Sequence, residues 1–350
     1  MNEANNITSE LLNSSFRGRG SHVLVTGGTG FLGSYIIKAL VEKGYTVRAI
    51  RRQASLPFYI PTAIWEKVEW VQGDLLDVTG LEEAMEGIDL VIHAAAKVSF
   101  ASRDKKELFR TNVEGTANLV NIALDKGVTR FLHISSIAAL GRTASGEMVT
   151  ENKKWEDGPL HTNYAISKFH GEVEVWRGFA EGLPAVIVNP STMLGYGDWT
   201  TSSCAIFRNV YKESPWYTQG VNGFVDVTDV AAAVLALLEN GVQGERYILN
   251  GDNWSFRQLF DCIAKGLGKR PPFREATPFM AQCAWRLEKV KSLFSGHPSL
   301  LTKESARVAL SKTYFDNGKI RRLLPDFRFT PLDETIGKAC KAYLEKASSG

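Results

Sequence analysis

His22-Val-Leu-Val-Thr26 runs directly into Gly27-Gly-Thr-Gly-Phe-Leu-Gly33, and the stretch 30–43 then carries apolar residues at Phe31, Leu32, Ile36, Ile37, Leu40 and Val41. A short β-branched run is the pattern of a strand buried on both faces, and the spacing that follows is one face of a helix. Glycines at such a junction permit a tight turn, let the backbone approach a pyrophosphate, and let the helix pack against the strand. The helix start offers unpaired N–H groups and the positive end of its dipole to phosphates. Gly28, Gly30 and Gly33 fit GxGxxG, while Gly27, Gly30 and Gly33 fit the related GxxGxxG. The flanking strand and helix turn a common glycine-rich turn into a dinucleotide-binding loop, with Thr29, Phe31 and Leu32 among its candidate contacts.

Working outward, the strand pattern recurs at 45–50, 68–71, 89–93, 130–134 and 185–188, with helical candidates at 81–86, 105–126 and 163–181. Strands regularly separated by helices predict an α/β fold with a doubly wound parallel sheet. The later chain is less regular. The stretch 195–223 has no clean period; 226–239 reads as a helix, 246–249 as a strand and 255–267 as a helix. Pro271-Pro272 breaks the chain, 280–294 alternates aromatic and basic residues, and 319–346 reads as two short helices around an extended 327–330. The expected organisation is a flexible leader over 1–20, a cofactor domain over 21–194 plus 224–253, and a smaller discontinuous substrate domain over 195–223 and 254–346.

Composition narrows the function classes. The chain has 350 residues, 44% hydrophobic and 23% charged, which excludes a disordered chain or a disulfide-stapled miniprotein. Its net charge of +3 gives no electrostatic case for nucleic acid or an anionic membrane. Cys204, Cys262, Cys283 and Cys340 are widely spaced and read as reduced thiols, with no metal site. No apolar run approaches the roughly 18 residues of a spanning helix, and 1–20 lacks a signal peptide's apolar core. A cytoplasmic protein without an integral membrane segment is expected, taking a small-molecule substrate, with a second copy of the chain as a candidate partner in a homodimer.

Two local patterns point to chemistry. At the end of the second strand, where a carboxylate commonly holds the ribose 2′-hydroxyl, the sequence is Ile50-Arg51-Arg52-Gln53. Two guanidiniums there suit a 2′-phosphate, so NADP is favoured over NAD. Tyr164-Ala-Ile-Ser-Lys168 puts a phenol and an ammonium on one helical face. A phenol has an unperturbed pKa near 10, and the adjacent cation is expected to lower it into a useful range. Upstream, Ser135-Ser136 stands at the carboxyl end of a strand, the edge where open parallel sheets bind ligands. A serine there can polarise a carbonyl or cap a turn. Asn112 opens a predicted helix, as a catalytic candidate or as a cap.

These pieces, with Gly73-Asp74-Leu75, His93-Ala-Ala-Ala96 and Asn189-Pro-Ser-Thr192, occur in an order that resembles the extended short-chain dehydrogenase/reductases over 21–253, a Rossmann-type family. The combination is most similar to the dihydroflavonol reductase and 3β-hydroxysteroid dehydrogenase branch. The resemblance implies that Gly27, Gly30 and Gly33 shape the pyrophosphate loop and that Arg51 and Arg52 meet the 2′-phosphate. Asp74 and Leu75 would flank the adenine, Ala94, Ala95 and Ala96 the middle of the cofactor, and Pro190, Ser191 and Thr192 the nicotinamide. Tyr164 would be the general acid, Lys168 its partner and Ser136, five residues before Gly141, the carbonyl-orienting donor. Asp226 and Asp229 fall in a stretch that joins the two domains in the family and read as structural. Dehydratases of the family carry an acidic pair after the catalytic serine; here Ile137 and Ala138 stand there, which disfavours dehydration.

The expected activity is therefore an NADP-dependent oxidoreductase interconverting a ketone and a secondary alcohol on a largely apolar substrate. An NAD-dependent nucleotide-sugar epimerase is the alternative, and a non-enzymatic NADP sensor a second one, against which Tyr164 and Lys168 argue. Tyr196, Trp199, Phe207, Tyr211, Trp216 and Tyr217 fit either an aromatic substrate pocket or ordinary core. The 280–294 segment, with Trp285 and Lys289, would cap that pocket, pack a partner or touch a membrane surface.

Overall fold

The computed structural model describes residues 21–142, 146–156, 158, 161–277, 280 and 303–348. The expected leader over 1–20, Cys283 and nearly all of the 280–294 segment lie outside these residues. In chain order the main strands are β1 (His22–Thr26), β2 (Thr46–Arg51), β3 (Val68–Gln72), β4 (Leu90–His93), β5 (Arg130–Ile134), β6 (Ala185–Pro190), β7 (Thr192–Leu194), β8 (Val221–Asp226), β9 (Glu245–Leu249) and β10 (Asp252–Ser255). Apart from a single turn at Thr62–Trp65, the α-helices among the described residues are α1 (Phe31–Lys43), α2 (Val78–Ala84), α3 (Lys105–Phe109), α4 (Gly115–Asp125), α5 (Asn163–Ala180), α6 (Ala205–Tyr211), α7 (Val227–Asn240), α8 (Phe256–Leu267), α9 (Lys303–Leu310), α10 (Gly318–Leu323) and α11 (Leu332–Ser348).

Seven strands form one parallel sheet in the order β9-β6-β5-β4-β1-β2-β3. Side chains alternate across it, so Val23 and Val25 join a core with Ile36, Ile37 and Leu40 of α1 and Val230, Val234 and Leu237 of α7. Leu24 joins the opposite core with Leu81 of α2, Leu119 and Val120 of α4 and Val175 of α5. Each such buried aliphatic side chain contributes about 1.5–3 kcal/mol. The doubly wound parallel sheet expected from the alternating pattern is the architecture found, and its carboxyl edge collects the ends of β1, β2, β4, β5 and β6.

A second, three-stranded sheet has the order β10-β8-β7. Beside it a third core gathers Phe207 and Val210 of α6, Leu259 and Ile263 of α8, and Ile336, Cys340 and Tyr343 of α11. Ile320, Leu323 and Phe327 return to the core of the large sheet, so the chain crosses between the two layers once more near its end. The structure differs from the sequence reading in three places. Sheet strand β7 and helix α6 lie in or beside the stretch with no clean period; both are too short to generate one. The terminal helix α11 is 17 residues long rather than short. The helical stretch from 105 to 125 is interrupted at Arg110–Glu114 by a π-helical turn, and Asn112 stands inside that turn instead of opening a helix.

Candidate active site

Gly27 adopts φ +71°, and a Cβ there would stand 2.6 Å from the Ala95 backbone. A Cβ on Gly33 would stand 2.1 Å from the Gly27 carbonyl oxygen, so the start of α1 rests directly on the loop. The Gly30 N–H closes the turn on that same oxygen at 2.9 Å. This bare backbone borders a cleft of about 330 Å³ whose lining includes Gly27, Thr29, Gly30, Arg51, Arg52, Asp74, Leu75, Ala94, Ala95 and Ala96. Gly28, Phe31, Leu32 and Gly33 are not in that lining. Leu32 is buried in the core, and the Phe31 ring packs edge-on to Tyr35 and Tyr59 at 5.8 and 6.3 Å. Lys97, Glu107 and Thr111 also line the cleft, and no motif pointed to them; Lys97 and Glu107 form an ion pair at 2.6 Å.

At the β2 end, the Arg51 guanidinium lies 5.1 Å from the Trp70 ring centroid and its Nη1 donates to the Ala54 carbonyl at 3.3 Å. Arg52 is exposed. A cradle without side chains at one end and two guanidiniums at the other suits a dinucleotide bearing a further phosphate.

A second cavity, of about 650 Å³, is lined by Ser135, Ser136, Tyr164, Pro190, Ser191 and Thr192 on its polar side. Its apolar walls include Val98, Phe100, Ile137, Met193, Ile206 and Phe315. Thr162 caps α5 by accepting the Ala165 N–H at 3.0 Å, which sets Tyr164 in the first turn and Lys168 one turn on. Ser136 caps the short turn Ile137–Leu140, its Oγ accepting the Ala138 N–H at 3.1 Å. The cap and the candidate catalytic role thus coexist, because the hydroxyl hydrogen stays available.

Burial raises the Tyr164 pKa, and a hydrogen bond with Ser136 opposes that shift. The direction is opposite to the one expected from Lys168. That ammonium is itself buried and donates to the Ile134 carbonyl at 2.8 Å. Burial pushes its pKa down to about 8, against the pull of Glu172. Glu172, one turn beyond Lys168 on α5, is 1% exposed, accepts from Asn189 and pairs with Arg246 at 3.2 Å. No motif marks Glu172, although its spacing of four from Lys168 is the spacing that joins Lys168 to Tyr164.

Asn112 is buried and caps no helix. Its Nδ2 donates to the Lys97 carbonyl at 3.0 Å and to Ser167 Oγ at 2.9 Å, while its Oδ1 accepts the Lys97 N–H at 2.8 Å. The π-turn therefore ties the segment after β4 to α5. Behind it, Thr26 Oγ1 and Thr116 Oγ1 hold the two ring nitrogens of His93 at 2.7 and 2.9 Å. Burial lowers the His93 pKa to about 3, so this ring stays neutral.

The two readings of the aromatic stretch are resolved for four residues. Tyr196, Trp199, Phe207 and Tyr211 belong to the third core, and the first three lie with ring centroids 5.0, 5.3 and 5.1 Å from Tyr343. None of the six lines the cavity. Asp226 accepts from the Thr228 N–H and Thr335 Oγ1, and Asp229 accepts the Thr330 N–H and hydroxyl, which are structural ties. No helix among the described residues is long and apolar enough to cross a membrane.

Comparison with known proteins agrees with this geometry. The sequence model of the NAD dependent epimerase/dehydratase family matches residues 23–249. A Synechocystis protein provisionally named dihydroflavonol 4-reductase is 32% identical over 303 residues, covering 84% of this chain and 87% of its own. Sterol demethylase protein B of Methylococcus capsulatus is 33% identical over 264 residues, 74% of this chain and 78% of that protein. Among solved structures, gox2253 superposes with a TM-score of 0.79 at 29% identity, over 93% of this chain and 99% of that one.

Proposed function

Because this chain belongs to the NAD dependent epimerase/dehydratase family and is an NAD(P)-dependent enzyme acting on CH–OH or carbonyl groups, we propose that it is an NADP-dependent oxidoreductase interconverting a ketone and a secondary alcohol on a largely apolar substrate. The observation that carries this reading is the Ser136–Tyr164 hydroxyl pair in a cavity with apolar walls, one helical turn from a buried lysine. A carbonyl oxygen inserted between the two hydroxyls receives a hydrogen bond from each.

When bound, the coenzyme supplies or accepts the hydride at the carbonyl carbon. The protein's part is proton and charge management. In reduction Tyr164 Oη gives its proton to the substrate oxygen. Ser136 Oγ, anchored from behind by the Ala138 N–H, donates its own hydrogen to the same oxygen and stabilises the charge developing there. Lys168, cationic at neutral pH, favours the phenolate left on Tyr164. Arg51 and Arg52 take the 2′-phosphate, where no carboxylate follows β2 to prefer a free ribose hydroxyl.

The experiment is a titration with NADPH and NADH followed by a panel of ketones and aldehydes scored for coenzyme consumption. Tighter binding of NADPH and net oxidation of it by an apolar ketone are expected. Preference for NADH removes the role given to Arg51 and Arg52. Turnover of a nucleotide sugar without net coenzyme consumption replaces the reductase reading with an epimerase.

A further inference from the structure

We propose that Arg142 anchors an anionic group of the substrate, so that the ketone or alcohol taken by this cavity carries a carboxylate at the end away from the reacting carbon. The inference rests on the reductase reading of the same cavity and goes further by naming the charge of its substrate.

Arg142 follows the turn that Ser136 opens and lines the same cavity as Tyr164. Its hydrogen bonds both come from Nη1, to Ser311 Oγ at 2.8 Å and Thr313 Oγ1 at 3.3 Å. Two neutral hydroxyls on one nitrogen leave Nε and Nη2 without a protein partner among the described residues. Those two N–H groups form the edge of the guanidinium that matches a carboxylate with paired parallel hydrogen bonds. No carboxylate among the described residues pairs with it. Burial lowers its pKa to about 10, which still leaves it fully charged at neutral pH. Arg142 is only partly buried, so the open edge of its fork faces the cavity and can be reached by a ligand anion without a full desolvation cost.

A second observation points to the same place. Ser135 Oγ, Ser191 Oγ and Asn222 Oδ1 are buried without a hydrogen-bond partner, and all three residues line this cavity. Buried polar atoms in native proteins are normally satisfied by protein, water or ligand; with Ser191 given to the coenzyme, Ser135 and Asn222 mark a polar wall that a substrate's polar groups can meet. The charge count sets its class. Arg142 is the one Lys or Arg in the described lining, which suits a single carboxylate and not the multiple charges of a nucleoside diphosphate. The apolar walls then fit the carbon skeleton between the carboxylate and the ketone. A purely structural role, tying the 311–313 segment to the cavity wall, needs only a neutral donor and leaves the open edge of the fork unexplained.

The test compares phenyl keto acids, with two to four methylenes between ketone and carboxylate, against their methyl esters, using NADPH and the full chain. For the best spacing the wild-type ratio of kcat/KM, acid over ester, should be roughly ten- to a hundredfold, the range of a charge-assisted hydrogen-bonded pair. Arg142→Met should bring that ratio close to one, and Arg142→Lys, which keeps the cation but not the fork, should fall between. A wild-type ratio near one overturns the proposal with no variant required. So does a variant in which acid and ester rates fall together with the ratio preserved, the mark of a structural tie. A binding measurement separates this inference from the reductase reading: the rise in melting temperature with 4-phenylbutyrate against its methyl ester. If no ketone consumes NADPH but only the carboxylate stabilises the protein, and only with Arg142 present, the anion site stands and the reductase reading falls. Equal shifts, or none from either compound, overturn the anion site.

Discussion

Replacing Lys168 with methionine should change how folding stability depends on pH, and by an amount the structure sets. The ammonium is 3% exposed, with the Ile134 carbonyl as its hydrogen-bond partner, and burial holds its folded-state pKa near 8 against 10.5 for a free lysine. Between those values the unfolded chain binds a proton that the folded protein has released. Stability therefore rises with pH across the window, is fully present above 10.5, and is lost as pH falls through 8. At about 1.36 kcal/mol per pH unit, the gap from 10.5 to about 8 comes to about 3 kcal/mol. Methionine keeps the apolar stem and has no titration. The stability of the wild type minus that of Lys168→Met should thus climb by roughly 2 kcal/mol between pH 7 and pH 10. At pH 7 the variant loses the bond to Ile134 but also sheds a desolvated charge, so it should be close to wild type in stability while losing turnover. Urea unfolding of both proteins at several pH values measures the difference, in which all other titrating groups cancel. A difference that stays flat from pH 7 to 10, or falls, refutes the claim that Lys168 is held as a desolvated, easily deprotonated cation.

Three further outcomes are expected. Tyr164→Phe should lower ketone turnover by about 10²–10⁴-fold while leaving the NADPH dissociation constant, read by fluorescence titration, within about twofold; loss of coenzyme binding in this variant would count against the proton-donor role. Arg51→Ala should weaken NADPH binding roughly tenfold to a hundredfold and leave NADH unmoved, so a parallel loss for both coenzymes would place Arg51 elsewhere than on the 2′-phosphate. Asn112→Ala strands the Lys97 N–H and carbonyl and should cost about 1–3 kcal/mol in urea unfolding, whereas a cap on an exposed helix end would cost less.

The parts of the fold and site that the sequence discloses share one property: they are local. The glycine loop, the strand before it and the helix after it are adjacent in the chain, and Tyr164 and Lys168 are one turn apart on α5, so period and spacing suffice. The substrate cavity is different. Arg142, Asn222 and Phe315 meet there only because β8 pairs with β7 and the 311–313 segment pairs alongside β8. No local pattern encodes that convergence, and the strands responsible are too short to show a period of their own. The aromatic stretch from Tyr196 onward was ambiguous for a related reason. An apolar ring reads the same whether it faces Tyr343 in a packed core or an open cavity.

Electrostatics shows the same limit in a sharper form. Spacing alone says that Lys168 adjoins Tyr164 and leads to the expectation of a lowered phenol pKa. In the folded protein burial acts on both groups, raising Tyr164 and lowering Lys168, and the ammonium's hydrogen bond goes to Ile134. A sequence reports which charges are neighbours but not how much water each has lost, and here lost water decides both directions. It also bears on mechanism. In the mechanism we propose, a lysine near pH 8 keeps its proton at neutral pH with little to spare, so it would support a phenolate at Tyr164 and give up its own charge at modest cost. Glu172 opposes that loss of the proton. Its carboxylate, fixed between Asn189 and Arg246, raises the Lys168 pKa against burial. Glu172→Gln keeps the Asn189 contact but removes the charge, so the Lys168 pKa should drop further. The basic limb of the pH–rate profile should then move to lower pH, while a merely structural Glu172 would leave the profile in place and lower its height.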